Sequence, residues 1–207
     1  LLTKQSVNRI EFKSEGVSTL SGKKIWFDTS INRLNDESRG NYLGEFSGDD
    51  KILVISASGY YELSSYDLSV HFPDDLLLLR KYSNDIIITA VYFYESKNQF
   101  YIKRFKIESK TKKVYFIDQS KNSYLELILD NDQSDLELQF IKPRNKTARI
   151  NEVITPQNFI TLKGSQALGN QLSRFPIKSI TVIQNNTHIE HNIESTTNSD
   201  SQIKINF

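Results

Sequence analysis

The most concentrated chemistry in this sequence is basic. Between Lys97 and Lys113 stand Lys97, Lys103, Arg104, Lys106, Lys110, Lys112 and Lys113 against one acid, Glu108, a local charge of +6. Between Lys142 and Lys178, the residues Lys142, Arg144, Lys146, Arg149, Lys163, Arg174 and Lys178 face only Glu152, again +6. The acids gather elsewhere, in Asp49-Asp50, Asp74-Asp75 and from Asp130 to Glu137. The whole chain is balanced, with 26 basic and 25 acidic residues and a net charge of +1, so the total points to no partner. Segregated positive stretches are what a polyanion requires. An uneven solvated surface produces the same pattern.

Other chemistry finds little support. The chain has no cysteine, which excludes disulfides, cysteine zinc sites, iron–sulfur clusters and a thiol nucleophile. His71, His188 and His191 suggest no triad, and serines and aspartates occur without a nucleophile elbow, phosphate loop or metal motif. His188 and His191, with Glu190 and Glu194 nearby, read as part of a solvated tail rather than a metal site. No catalytic residue and no metal is assigned.

Those cations must be positioned by strands. The 207 residues, 38% apolar and 25% charged, suffice for one large domain or two small ones with a real core. Period-two patterning dominates, and no window of 12 or more residues carries a helical stripe. Strands are predicted at 24–27, 51–56, 60–63, 76–81, 86–94, 100–107, 114–117, 124–129, 135–140, 159–163 and 177–183. Ala57-Ser58-Gly59 marks one hairpin, and Asp130-Asn131-Asp132-Gln133-Ser134 predicts another between 124–129 and 135–140. The class is all-β, with many short strands. From Gln184 the sequence turns rich in Asn, Ser and Thr, so the expected division is a folded domain over 1–183 and a polar, mobile tail over 184–207. The longest apolar run, 90–94, is too short for a membrane helix, and no signal peptide is visible. With no methionine present, the chain reads as a piece of a longer polypeptide.

A repeat runs beneath the strands. Leu2-Thr3-Lys4 through Phe12 matches Leu172-Ser173-Arg174 through Val182, with apolar residues at Val7/Ile177, Ile10/Ile180 and Phe12/Val182. Gly40-Asn41-Tyr42-Leu43 echoes Gly169-Asn170-Gln171-Leu172. The leucines are 41 and 129 residues apart, a period of about 43 that suits four-stranded blades in a radial array. About four blades are expected.

The stretch EGVSTLSGKKIWFDTSINRLNDESRGNYLGEFSGDDKILVISASGYYELSSYDLSVHF resembles the C-terminal domain of the A subunit of bacterial type IIA DNA topoisomerases, the family of DNA gyrase and topoisomerase IV. It looks closest to the topoisomerase IV form of Bacteroidetes-like bacteria. The resemblance continues through ITAVYFYESKNQFYIKRFKIE and SYLELIL to FITLKGSQALGNQLSRFPIKSI. It implies a β-pinwheel, an array of blades that exchange strands and bend duplex DNA around a basic rim. It also implies that the domain presents DNA to a catalytic core earlier in the same polypeptide, which works with a B subunit. ATP and magnesium would belong to that complete enzyme, with no cofactor in this stretch, and the location would be bacterial cytoplasm, at the nucleoid. The turns SRGNYLG at 38–44 and KGSQALGNQL at 163–172 depart from the multi-arginine box of gyrases, so relaxation and decatenation fit better than supercoiling.

The candidate DNA contacts are Arg33, Arg39, Lys103, Arg104, Lys106, Lys142, Arg144, Lys146, Lys163, Arg174 and Lys178. Arginine favours fork-like phosphate contact and lysine acts as a point charge. Arg104 and Lys106 share one strand face, while Lys103 points with Phe105 and Ile107 toward the core, its stem along the core edge. Trp26 and Phe27 read as packing residues. The competing reading is a non-enzymatic β-array that binds protein or carbohydrate; two sequons, Asn145-Lys146-Thr147 and Asn185-Asn186-Thr187, would suit a secreted version.

Overall fold

A computed structural model of the chain describes residues 22–184, apart from 111, 132, 143, 145 and 146. The first leucine of the repeat, Lys146 and the tail from 185 onward lie outside the described residues. Strands account for nearly all the regular structure; the helical pieces are a 3-10 turn at Glu95–Lys97 and α1, Pro156–Phe159.

The strands form four antiparallel sheets. The first joins β1 (Lys23–Asp28), β2 (Arg33–Asn35) and β3 (Asn41–Phe46) in the order β2-β1-β3. The second has β4 (Ile52–Ser56), β5 (Tyr60–Ser64), β6 (Leu76–Lys81) and the short β9 (Val114–Tyr115), ordered β6-β4-β5-β9. The third has β7 (Ile87–Tyr94), β8 (Gln99–Lys106), β10 (Tyr124–Leu129) and β13 (Asn170–Gln171), ordered β10-β7-β8-β13. The fourth has β11 (Ser134–Phe140), β12 (Glu152–Ile154) and β14 (Ile177–Gln184), ordered β12-β11-β14.

One plan recurs. A pair of strands forms first, and a third strand returns beside the first of them. The second and third sheets then gain a fourth strand from chain that has already built part of the next sheet. Thus β9 follows β8 but pairs with β5, and β13 follows β12 but pairs with β8. Neighbouring sheets therefore exchange strands.

Three apolar layers fill the spaces between the sheets. Ile25, Phe27, Leu34 and Phe46 of the first sheet meet Ile52 and Val54 of the second. The opposite face of β4, Leu53 and Ile55, meets Ile88, Ala90, Tyr92 and Phe105 of the third sheet. The other face of the third sheet, Val91 and Ile102, meets Leu136, Leu138 and Phe140 of the fourth. This two-sided burial explains why all of β4 is buried and why its sequence, Ile-Leu-Val-Ile-Ser, does not alternate. β11 covers one layer only, so its burial alternates residue by residue.

Three sequence expectations change. The segments 124–129 and 135–140 are strands but not a hairpin: β10 pairs with β7, and β11 pairs with β12 and β14. Leu129 and Leu136 share one core, so the two strands face each other across it instead of lying edge to edge. The connection between them is a crossover, held where Arg80 meets Asp130 at 2.7 Å. The strand expected at 159–163 is replaced by α1 and a single parallel bridge from Leu162 to Arg104. Pro156 at the start of that segment lacks an N–H and has a φ suited to a first helical turn. The constant step of 43 also fails, because the sheets open at Lys23, Ile52, Ile87 and Ser134. Connections of unequal length separate them, and two of the four sheets have three strands among the described residues.

The Gly-Asn echo has a shared physical basis. Gly40 and Gly169 adopt φ of +82° and +84°. Each presses on the backbone of a neighbouring strand, Gly40 on the Phe27 carbonyl and Gly169 on the Ile102 carbonyl. Only glycine combines that φ with no Cβ. The following Asn41 and Asn170 then enter the ladder opposite Phe27 and Ile102. The two turns nevertheless close different edges, since β3 joins the first strand of its sheet and β13 the second strand of the third.

Gly40→Ala should cost about 2 kcal/mol or more, since left-handed strain and a backbone collision coincide. Gly164→Ala, whose added methyl meets nothing within 4 Å, should stay within about 0.5 kcal/mol. Urea midpoints of the two variants measure this, and equal midpoints would contradict the structural role given to Gly40.

Candidate nucleic-acid interface

Six candidate cations are exposed with no carboxylate at ion-pair distance among the described residues: Lys106, Lys142, Arg144, Lys163, Arg174 and Lys178. All six belong to the third and fourth sheets or their connections. β11 and β14 bring several together. Phe140 pairs with Ile177, and the Ile141 N–H donates to the Pro176 carbonyl at 3.0 Å. Lys142 therefore begins its loop beside the 174–178 segment that carries Arg174 and Lys178. Arg149 reaches the same end, its guanidinium 3.7 Å from the Phe175 ring centroid. Glu152 holds it there at 2.6 Å, so its charge is neutralised locally.

The third sheet supplies Lys106, at the end of β8, and Lys163. The Lys163 N–H donates to the Arg104 carbonyl at 2.9 Å, and its Nζ donates to Asn170 Oδ1 at 2.8 Å. Lys163 thus spans the turn between residues 163 and 170.

The remaining candidates are placed differently. Arg33 and Arg39 stand on the first sheet, away from the others. Arg33 is half-buried with Nη2 3.4 Å from His71 Nε2, and Arg39 pairs with Glu37 at 3.0 Å. Lys103 and Arg104 are only 2% and 7% exposed, so β8 offers neither head to a phosphate in this conformation. Both faces of β8 are covered there, which the alternation of the strand alone does not indicate. Lys146 lies outside the described residues.

Lys103 has a definite task. Its Nζ donates to the Ser165 and Ala167 carbonyls, both at 2.9 Å. The rings of Tyr92, Phe105 and Phe116 surround it at 5.3, 5.9 and 6.0 Å, close enough for the ring faces to attract the cation. Burial pushes its pKa down to about 8. Burial also pushes the Tyr92 hydroxyl up, and that hydroxyl donates to the Leu168 carbonyl.

Asn35 carries no charge and stood outside the candidate set. It is 5% exposed and organises the 35–39 turn. Its Oδ1 accepts from the Glu37 and Arg39 N–H groups at 3.1 and 3.0 Å, and its Nδ2 donates to the Arg39 carbonyl at 2.8 Å. An Asn placed before Asp-Glu-Ser-Arg-Gly is the available signal, since Asn side chains mimic a backbone turn.

The described residues form an all-β array of strand-exchanging sheets, whose connections and sheet ends carry exposed cations with no carboxylate at ion-pair distance among those residues. The chain matches the family described as topoisomerase C-terminal domain, Bacteroidota, over residues 33–184, and it belongs to that family. Comparison with curated proteins gives no match. Among the described residues, no helix is long and apolar enough to cross a membrane.

The buried Lys103 sets a pH signature. Its pKa is about 8 in the fold and ordinary, at 10.5, when unfolded. Between these values the unfolded chain binds more protons, so stability should rise with pH. Tyr92 reverses the trend above about pH 10, where the unfolded phenol ionises and the folded one does not. Urea unfolding should show a gain on the order of 2 kcal/mol from pH 8 to 10. Lys103→Met should abolish that gain; a variant retaining the full rise would assign it to another group.

Proposed function

We propose that this domain binds duplex DNA without reading its sequence and presents it to the cleavage core in the A subunit of a type IIA topoisomerase. The observation that carries this reading is the set of exposed cations with no carboxylate at ion-pair distance among the described residues, Lys106, Lys142, Arg144, Lys163, Arg174 and Lys178, on a topoisomerase C-terminal domain. Strand exchange between adjacent sheets supports a β-pinwheel in which each sheet is a blade. The DNA-binding unit is then 1–184, one residue longer than expected because Gln184 ends β14 opposite Ser134, with 185–207 a polar tail. The core upstream in the same polypeptide performs strand breakage, with a B subunit, ATP and magnesium in the complete bacterial enzyme.

Binding of this kind needs cations matched to phosphates, because each neutralised phosphate releases condensed counterions. Six contacts correspond to a slope of log affinity against log salt of about −5. Bending a 20–30 bp segment costs roughly 1–6 kcal/mol. In the first sheet Arg39 is engaged by Glu37, which leaves less free charge to offset that cost. Weak bending fits relaxation and decatenation better than the tight wrapping that supercoiling requires.

Fluorescence anisotropy with a generic 30 bp duplex tests the reading. Affinity should be insensitive to sequence and fall with salt at a slope of about −5. The variant Lys142→Ala/Arg174→Ala/Lys178→Ala should shallow the slope by about 3. A flat salt response, or an unchanged slope in that variant, would remove DNA as the ligand of this surface.

A further inference from the structure

We propose that Lys103 is a positioning residue: from inside the core its ammonium holds the 164–169 turn in the shape that sets Lys163 against a phosphate. The proposal rests on the DNA-binding reading above and adds to it the means by which one contact is built.

The turn is fastened to β8 at both ends. The Lys163 N–H donates to the Arg104 carbonyl at 2.9 Å, and the Leu172 N–H donates to the Phe100 carbonyl at 2.8 Å. Between these points, three carbonyls of the turn point inward to side-chain donors. Those of Ser165 and Ala167 accept from Lys103 Nζ, and that of Leu168 accepts from the Tyr92 hydroxyl. Gly169, at φ +84°, lies against Ile102, where an added Cβ would come within 2.9 Å of Lys103 Cβ. Asn170 then enters the ladder and receives Lys163 Nζ at 2.8 Å.

This arrangement has an electrostatic consequence. Peptide carbonyls carry the negative end of the backbone dipole, so carbonyls facing solvent would repel a phosphate. Lys103 and Tyr92 draw three of them inward and leave the exposed Lys163 head at the surface of the turn. The buried ammonium adds positive potential behind it. An apolar residue at 103 would leave the Ser165 and Ala167 carbonyls without those donors, a state that buried or half-buried backbone avoids by rearranging. Asn170 and Lys163 would move with the turn. A lysine at this depth is costly unless its donors are used, and here the two carbonyls and the surrounding rings use them.

The test compares Lys103→Met, Lys163→Ala and the double variant in the salt titration, with amide hydrogen exchange of residues 165–169 measured without DNA. Lys163→Ala should shallow the salt slope by about 1. Lys103→Met should shallow it by the same amount, and the double variant should bind no more weakly than either. Exchange at 165–169 in Lys103→Met should quicken about tenfold or more. Because the chain has no cysteine, Lys103→Cys alkylated with 2-bromoethylamine in denaturant and refolded returns an amine to this position alone. That product should recover the wild-type slope. Wild-type binding by Lys103→Met, additive losses in the double variant, or no recovery with the amine would each overturn the proposal. If Lys103→Met does not fold, Tyr92→Phe keeps the ring and removes only the bond to Leu168; unchanged exchange at 168–169 and an unchanged slope would then overturn it. A wild-type chain that fails to bind duplex overturns the DNA reading itself, and the exchange data still decide whether Lys103 holds the turn.

Discussion

The constraint on which this structure depends is that its middle sheets must bury both faces. β4 and the β7–β8 pair carry apolar side chains on each side, and water is excluded only when a sheet packs against each face. Four sheets with three apolar layers between them satisfy that demand. Strand exchange follows the same logic: β9 and β13 cover edges that would otherwise expose unpaired backbone groups, and each links one sheet to the next. The domain is thus held by non-local contacts throughout.

Charge distribution follows from that stacking. A cation on a strand within the stack is enclosed, whatever its neighbours in sequence, as Lys103 and Arg104 are. A cation at a sheet end or in a connection stays in solvent, as Lys106, Lys142 and Lys178 do. On the first two sheets several bases are matched by acids: Lys23 by Asp36, Lys81 by Asp50, and Arg39 by Glu37. The Asp36 and Asp50 carboxyls are held below their ordinary values by hydrogen bonds from those lysines. Free positive charge therefore concentrates toward the third and fourth sheets, and the array is electrostatically lopsided although the chain as a whole is nearly neutral.

The two Gly-Asn turns show how one local solution serves different places. Glycine permits the close approach, and a buried polar side chain fixes the adjoining loop: Asn35 in the first sheet, Lys103 in the third. The two donors differ in chemistry, amide and ammonium, yet each bonds backbone groups that the loop would otherwise leave unmatched. A repeat sought in side-chain identity finds the glycines and misses these partners, because only the backbone geometry is shared.

The longer strands were legible in the sequence because their cause is local: alternating or continuous apolar residues mark 76–81, 124–129 and 135–140, whereas β2, β3, β12 and β13, short or polar, carry too little of that pattern and were missed. The all-β class, the glycine turns and the inward direction of Lys103 were legible for the same reason. Pairing was not. Whether β10 lies beside β11 or faces it depends on which apolar surfaces meet after the chain has crossed between sheets, and Asp-Asn-Asp-Gln-Ser suits either outcome. Nor did the run Lys103-Arg104-Phe105-Lys106 reveal that Arg104, on the face opposite Lys103, is enclosed as well while Lys106 stays exposed. That was decided by the 162–172 segment packing on β8, contacts made by residues some 60 positions distant. Local pattern is written in neighbouring residues, whereas burial and charge pairing are set by whatever the fold brings alongside.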